Sequence, residues 1–247
     1  MRIPRIFHQI WVGPDPFPEE FLPYRQSWLD LNPGWELKLW TDDNFPKPEE
    51  LRRPEAAEWL RAPWERGDIF RLEVLWRQGG VHVDTDFECR RPIEPLIGDV
   101  DLFIGLRKPN KVNGALMGSV PGHPLLERGL EEIRPRQKYG MRMGAGYANV
   151  KDETGPQFLD HLLLGRPEVR LFDPPVFYPR TPDELETAYA IHHRARAWKD
   201  DEGVRDSLRK AEQRLLRSQA ETLEWRERYE AAAAELERLR AVSSSPS

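Results

Sequence analysis

Short runs of apolar residues, separated by Pro and Gly, fill the chain as far as Trp198. Apolar positions that are continuous or alternate with polar ones predict strands at 6–11, 35–40, 81–84, 102–106 and 115–118. Apolar positions spaced three and four residues apart predict helices at 21–31, 64–78, 123–133 and 154–164. The helix over 64–78 is followed by Gly79-Gly80, a pair that favours a C-cap. This alternation predicts an α/β domain over residues 1–198, with helices on both faces of a sheet and a ligand site at the carboxyl ends of its strands.

The pattern changes after this domain. From Lys199 to Val242 the chain has no Pro and is rich in Glu, Arg, Ala and Leu. Apolar residues recur at three- and four-residue steps from Leu208 to Leu239, in a heptad seam that Ser218 and Thr222 interrupt. We predict a long charged helix over 199–242. It is either a coiled coil, which would form a homodimer or bind a partner, or a solvated helix folded back on its own domain. Residues 243–247 are typical of a disordered tail.

Composition narrows the class of protein. The 247 residues are 39% hydrophobic and 32% charged, and the net charge of −5 argues against a nucleic-acid partner. No run of about 18 apolar residues predicts a membrane span, and the first residues lack a signal-peptide core. The single cysteine, Cys89, excludes an intramolecular disulfide. We therefore expect a cytoplasmic protein. Neither a P-loop nor a dinucleotide-binding glycine motif occurs.

Two carboxylates stand together in Asp84-Thr85-Asp86, directly after the apolar strand residues Val81 and Val83. Burying both charges is costly unless a cation neutralises them. Carboxylate oxygens are the ligands that Mg²⁺ and Mn²⁺ prefer, although a solvated turn could carry the same triplet. Asp68 and Arg71 lie three residues apart on the preceding helix and project from one face. Alone they would form a surface ion pair, but next to the acidic triplet they favour a functional site.

Five blocks of this sequence resemble the DXD-containing sugar transferases, a family of initiating mannosyltransferases and galactosyl- and N-acetylglucosaminyltransferases that is distantly similar to the large glucosylating toxins. The most specific block runs from Asp68-Ile69-Phe70-Arg71 through Gly79-Gly80 to Asp84-Thr85-Asp86. The other blocks are residues 3–13, 32–40, 154–156 and 190–198. The resemblance covers residues 3–198 and departs from the family at His82, where Tyr is more usual.

The resemblance implies a GT-A-like fold, which is a single Rossmann-type α/β domain with a mixed sheet. It also implies transfer of a hexose or N-acetylhexosamine, with retention of configuration, from a UDP- or GDP-sugar to a hydroxyl. Mn²⁺ or Mg²⁺ would bridge the acidic triplet and the diphosphate, and so neutralise the leaving group. The acceptor would be a glycan, a lipid-linked precursor or a protein.

The resemblance also assigns roles to residues. Trp11 would stack near the nucleobase, and His192 or His193 would close with Trp198 over the diphosphate and could add a metal ligand. The predicted metal ligands are Asp84, Asp86 and His192. The predicted cofactor-binding residues are Trp11, Asp68, Arg71, Asp84, His193 and Trp198. The predicted catalytic residues are Asp68, Arg71 and Asp84.

Other candidates have simpler explanations. His8 stands in an apolar strand and is best interpreted as a hydrogen-bonded core residue. Asn113-Gly114 precedes a predicted strand and is best interpreted as a turn, with contact to the donor sugar as the alternative. His192-His193 is equally well interpreted as a solvated loop or as a lid over the site.

Two other functions stay open. A non-catalytic adaptor would keep the fold as a binding module and work through its C-terminal segment. A phosphoryl or nucleotidyl transferase would also use paired Asp residues.

Overall fold

The computed structural model describes residues 2–54, 63–133 and 155–195, and Tyr229 alone beyond them. By its internal contacts the chain divides into two units, Met1–Ala195 and Arg196–Ser247, and the elements below belong to the first. Trp198, the predicted helix over 199–242 apart from Tyr229, and the predicted tail lie outside the described residues. The coiled coil, the homodimer and the domain boundary therefore stay predictions.

The secondary structure of the described ranges consists of short elements. The strands are β1 (Ile6–Ile10), β2 (Glu36–Trp40), β3 (Gly80–Val83), β4 (Phe87–Cys89), β5 (Leu102–Lys108), β6 (Lys111–Ser119), β7 (Arg170–Phe172) and β8 (Ala190–His192). The α-helices are α1 (Leu22–Leu31), α2 (Pro63–Gln78), α3 (Glu94–Ile97), α4 (Pro124–Glu132), α5 (Pro156–Leu163), α6 (Pro174–Phe177) and α7 (Pro182–Thr187). Two 3-10 helices are Glu19–Phe21 and Pro48–Glu50. None of these helices has the length and apolar character that a bilayer crossing requires.

Six strands form one mixed sheet in the order β2-β1-β3-β6-β5-β7. Strand β1 runs parallel to β2 and β3, β6 runs antiparallel to β3 and β5, and β7 runs parallel to β5. The remaining strands, β4 and β8, pair antiparallel in a separate two-stranded sheet. The mixed sheet predicted for this domain is confirmed.

Apolar side chains pack on both faces of the main sheet. One cluster gathers Phe7, Val81 and Phe103 with Trp28 of α1. The cluster on the other face is supplied mainly by helices α2, α4 and α5 and by alternate strand residues; it includes Ile69, Leu72, Leu75, Ile104, Met117, Leu126, Leu159 and Leu162. Because successive strand side chains point to opposite faces, Phe103 and Ile104 enter different clusters. The sheet is therefore covered on both sides, as the β/α alternation predicts.

The passage from α2 into β3 depends on the two glycines. The N–H of Gly79 donates to the carbonyl of Leu75 at 2.9 Å, which completes the C-cap. Both glycines have positive φ, 64° and 93°, a region that glycine enters without strain. A Cβ on Gly80 would lie 2.6 Å from the carbonyl oxygen of Ile6, so only glycine fits between the strands. The C-cap expected for Gly79-Gly80 is confirmed.

His8 is a core residue, as its apolar neighbours indicate. The side chain is fully buried, with Nε2 2.8 Å from the carbonyl oxygen of Gly79. The indole N–H of Trp40 donates to Nδ1 at 3.0 Å. Burial lowers the pKa of His8 to about 4, so the ring is neutral at pH 7. Its two hydrogen bonds satisfy both ring nitrogens, and the core interpretation is confirmed.

The Asn113-Gly114 turn is a wrong prediction. Both residues lie inside β6, which begins at Lys111. The β5–β6 hairpin instead turns at Asn110, whose φ of 54° lies in the left-handed region that Asn tolerates better than most residues. Asn113 faces Gly105 across the hairpin next to an irregular step in the register. The strand therefore continues through a dipeptide whose local preference is for a turn.

Candidate metal centre

Three side chains converge where β3 ends and the β4–β8 pair begins. Asp84 follows β3, and its N–H donates to the carbonyl of Ala115 on β6 at 2.8 Å. Asp86 precedes β4, and His192 is the last residue of β8, opposite Phe87. One ligand atom from each of Asp84, Asp86 and His192 lies within 4.8 Å of the others. The structure thus brings the three predicted metal ligands into one place.

Asp86 is held by the chain that leaves β8. It is 8% exposed, and its Oδ2 accepts the N–H of Ala195 at 2.8 Å. Its Oδ1 lies 3.3 Å from Nε2 of His192, and its carbonyl accepts the N–H of His193 at 3.0 Å. The solvated-loop interpretation of the histidine pair is wrong for His192, because this side chain lies in a strand and stacks on Phe87 at 4.7 Å between ring centroids.

The donor set fits a divalent cation. Two carboxylates and one imidazole nitrogen supply the hard and borderline ligands that Mn²⁺ accepts, and carboxylates also suit Mg²⁺. Both carboxylates are partly or fully buried, and among the described residues Asp86 contacts the backbone N–H of Ala195 and the imidazole of His192. Among the described residues, Asp84, Asp86 and His192 are therefore those that could hold a metal.

Arg71 connects helix α2 to the acidic triplet. Its Nη1 lies 3.1 Å from Oδ1 of Asp68, and its Nη2 lies 3.6 Å from Oδ1 of Asp84. The side chains of Arg71 and Asp68 are only 13% and 17% exposed. The surface-pair interpretation is wrong, because the Arg71 side chain is largely buried and reaches a second carboxylate on another element.

Asp84 is ionised despite its surroundings. Burial alone would raise the pKa of Asp84, but the hydrogen bond from His82 and the positive charge of Arg71 hold that pKa below its usual range. The contact with His82 joins Nε2 to Oδ1 at 3.0 Å. The carboxylate therefore carries its charge at neutral pH and is available to a cation.

Sequence reasoning missed His82 as a member of this site. The residue is 2% exposed, and burial lowers the pKa of His82 to about 4. The sequence spacing could have predicted this contact. Residues two apart on a strand share a face, and His82 stands two positions before Asp84.

Trp11, the predicted nucleobase residue, lies just beyond β1. Its backbone N–H donates to the carbonyl of Trp40, and its indole N–H donates to the carbonyl of Asp15 at 2.8 Å. The ring meets Phe17 and Phe21 edge to face, at centroid distances of 5.6 and 6.2 Å. Local contacts thus fix the ring, and its role toward a nucleobase stays a prediction.

His193 lies at the other end of this aromatic row. Phe21 is followed by Tyr24 at 6.1 Å, and the ring of Tyr24 stacks on His193 at 4.3 Å. The Nε2 atom of His193 lies 3.0 Å from Oε2 of Glu88. The row therefore joins Trp11 to His193, two of the six predicted cofactor-binding residues. Trp198, another of the six, lies outside the described residues.

Comparison with known proteins shows which family part of the chain resembles. Residues 18–103 match the family described as glycosyltransferase sugar-binding region containing DXD motif. This region is similar to the DXD-containing glycosyltransferases. The match includes Asp68, Arg71, Asp84 and Asp86, so the predicted resemblance is confirmed.

The similar curated proteins have names that describe sugar transfer to ceramide lipids. The chain is 35% identical over 160 residues to the mannosyl phosphorylinositol ceramide synthase SUR1 of Saccharomyces cerevisiae, covering 64% of this chain and 41% of that protein. It is 30% identical over 199 residues to inositol phosphoceramide mannosyltransferase 2 of Schizosaccharomyces pombe, covering 76% of this chain and 53% of that one. The chain spans about half the length of these relatives or less.

A solved structure shares the fold. The ligand-free glycosyltransferase domain from the YGT toxin superposes with a TM-score of 0.51 at 10% identity, covering 69% of this chain and 80% of that domain. The glycosyltransferase-type α/β fold predicted for the first domain is confirmed at this level.

Proposed function

We propose that this protein is a glycosyltransferase that moves a hexose or N-acetylhexosamine from a UDP- or GDP-sugar to a hydroxyl, with retention of anomeric configuration. The observation that supports it is the convergence of Asp84, Asp86 and His192 within 4.8 Å, next to the largely buried side chain of Arg71. Mannose is the first donor sugar to test, and a lipid-linked hydroxyl the first acceptor, because similar proteins are named for mannosyl transfer to inositol phosphoceramide.

The residues divide the work of binding and charge stabilisation. Asp84, Asp86 and His192 would hold Mn²⁺ or Mg²⁺. The bound ion would act as a Lewis acid on the departing diphosphate. Arg71 would add a second positive charge, and its planar guanidinium suits phosphate oxygens. Asp68 and Asp84 keep that guanidinium in place, since both carboxylates lie within 3.6 Å of it.

The site also meets a requirement of the sugar. The anomeric carbon gains positive character in the transition state of glycosyl transfer, as it does in glycoside hydrolysis. An ionised carboxylate near the sugar stabilises that charge, and the pKa of Asp84 lies below its usual range. We therefore assign Asp84 to the donor sugar as well as to the metal.

The proposal is tested with Asp86→Asn, which removes one negative charge while an amide oxygen can still accept the N–H of Ala195. We expect hydrolysis of the preferred nucleotide sugar in Mn²⁺ to fall by about 100-fold or more. Asp160→Asn is the matched control, because Asp160 is also 8% exposed and accepts the N–H of Val112 at 2.7 Å. Full activity of Asp86→Asn, or an equal loss in Asp160→Asn, contradicts the proposal.

Ligand-dependent stability separates the remaining functions. A glycosyltransferase of this kind is stabilised against heat by UDP or GDP only when Mn²⁺ is present. Stabilisation by ATP instead would favour the phosphoryl or nucleotidyl transferase, and absence of donor hydrolysis with every sugar nucleotide would favour the adaptor.

A further inference from the structure

His82 and Asp84 stand side by side at the end of β3. The imidazole is 2% exposed, and its Nε2 lies 3.0 Å from Oδ1 of the carboxylate. A carboxylate oxygen only accepts hydrogen bonds, so the ring nitrogen must carry the hydrogen. The strand itself produces this contact, because residues two apart point to the same face.

The contacts to the Asp84 carboxylate from the described residues all fall on one oxygen. Oδ1 receives the hydrogen bond from His82 and the more distant guanidinium of Arg71, at 3.6 Å. Arg71 is shared, since it also lies 3.1 Å from Asp68. The hydrogen bond from His82 is therefore the tighter of the two restraints on this carboxylate, and Oδ2 remains for another partner.

We propose that His82 is a positioning residue that fixes the carboxylate of Asp84 so that its second oxygen joins Asp86 and His192 around a divalent cation. The inference rests on the metal site of the proposed function. Carboxylates that ligate metals are themselves hydrogen-bonded, and removing such a partner typically weakens metal affinity about 10- to 100-fold. A carboxylate released from His82 would lose rotational order that binding must then restore.

His8 offers a built-in comparison. It is the direct neighbour of His82 in the parallel β1–β3 register and is fully buried. Its hydrogen bonds go to Gly79 and Trp40, and neither partner belongs to the metal site. A loss that comes only from removing a buried imidazole should therefore appear at both positions, whereas a loss of positioning should appear only at 82.

The experiment is a titration of the full chain with Mn²⁺, in which free Mn²⁺ is measured by electron paramagnetic resonance with and without UDP or GDP. The variants are His82→Gln, His82→Asn and His8→Asn. A glutamine amide nitrogen reaches the position of Nε2, whereas an asparagine amide is one bond shorter. We expect His82→Asn to weaken Mn²⁺ binding about 10- to 100-fold, His82→Gln to recover most of the affinity, and His8→Asn to bind as the wild type does. Thermal unfolding without metal identifies the folded fraction of each variant.

Two results overturn the inference. Wild-type affinity in folded His82→Asn would mean that the carboxylate needs no positioning. Affinity in His82→Gln as weak as in His82→Asn would mean that packing of the imidazole ring, and not its hydrogen bond, matters. If the wild-type chain binds no Mn²⁺ with or without UDP or GDP, the proposed function and this inference both fail. If the wild type binds Mn²⁺ and the variants give either result above, only the inference about His82 fails.

Discussion

Replacing Gly114 by Ala tests whether the placement of Arg71 controls transfer. Gly114 lies on β6 beneath the guanidinium, and an added Cβ would overlap Nη1 of Arg71 and lie 2.7 Å from Cδ1 of Leu159. Its φ lies outside the left-handed region, so alanine causes no backbone strain and the collision is the main consequence. Since Leu159 is buried in the core, the longer side chain of Arg71 is the one that moves.

The substitution Gly114→Ala is expected to lower both the stability of the fold and the turnover number. Overpacking of this kind destabilises a fold by about 1–3 kcal/mol. Displacing Arg71 also breaks its contacts of 3.1 Å with Asp68 and 3.6 Å with Asp84. Loss of one positioned charge donor lowers the turnover number by about 100- to 1000-fold. We therefore expect the turnover number of Gly114→Ala for donor hydrolysis to fall about 100-fold, more than its stability loss would explain.

Gly129→Ala is the matched control for overpacking. Its Cβ would lie 2.6 Å from Cδ2 of Leu162, on the same helix as Leu159, but its closest contacts do not include Arg71. Helix propensity offsets part of the overpacking, because alanine is favoured over glycine by about 1 kcal/mol in a helix. Urea denaturation and donor hydrolysis are measured for both variants. Wild-type turnover in Gly114→Ala, or an equal loss in Gly129→Ala, would refute the assigned role of Arg71.

Three further predictions concern the scaffold. The pKa of His8 is lowered by burial from 6.5 to about 4, so the unfolded chain takes up the proton first and stability falls as pH drops from 6.5 to 4. His8→Gln should reduce this loss by roughly 3 kcal/mol in urea denaturation at pH 7 and 4, and an unchanged pH dependence would contradict it. Burial raises the pKa of the Cys89 thiol to about 11, so a thiol reagent should label it only in denaturant; rapid labelling of the native protein would be evidence against this. Thr181→Ala removes the capping box of α7 and should lower the free energy of unfolding by about 1 kcal/mol. Asp173→Ala, at an N-cap without a side-chain hydrogen bond, should change it little.

Local pattern was sufficient where the site is contiguous in sequence. Helix α2, the glycine pair, β3 and the acidic triplet follow one another in the sequence. The spacing of apolar residues predicts the helix, and the glycine pair predicts its C-cap. The cost of burying two carboxylates after an apolar strand predicts the metal site. The single-face arrangement of Asp68 and Arg71 follows from helix geometry alone. The family resemblance added His192, which local periodicity does not predict.

Longer-range partners required the folded chain. Strands β4 and β8 have three residues each, too few for any period, and their pairing joins His192 to a segment about a hundred residues away. The same applies to Asn113 and Gly114, because the β5–β6 pairing overrides their preference for a turn.

By itself, the sequence determined the longer helices and strands and which side chains carry charge, because both depend on neighbours within a few residues. Only the tertiary structure decided that His82 bonds Asp84 and that Arg71 spans two carboxylates. Those contacts depend on the distance and orientation between side chains, which packing sets and local pattern does not encode.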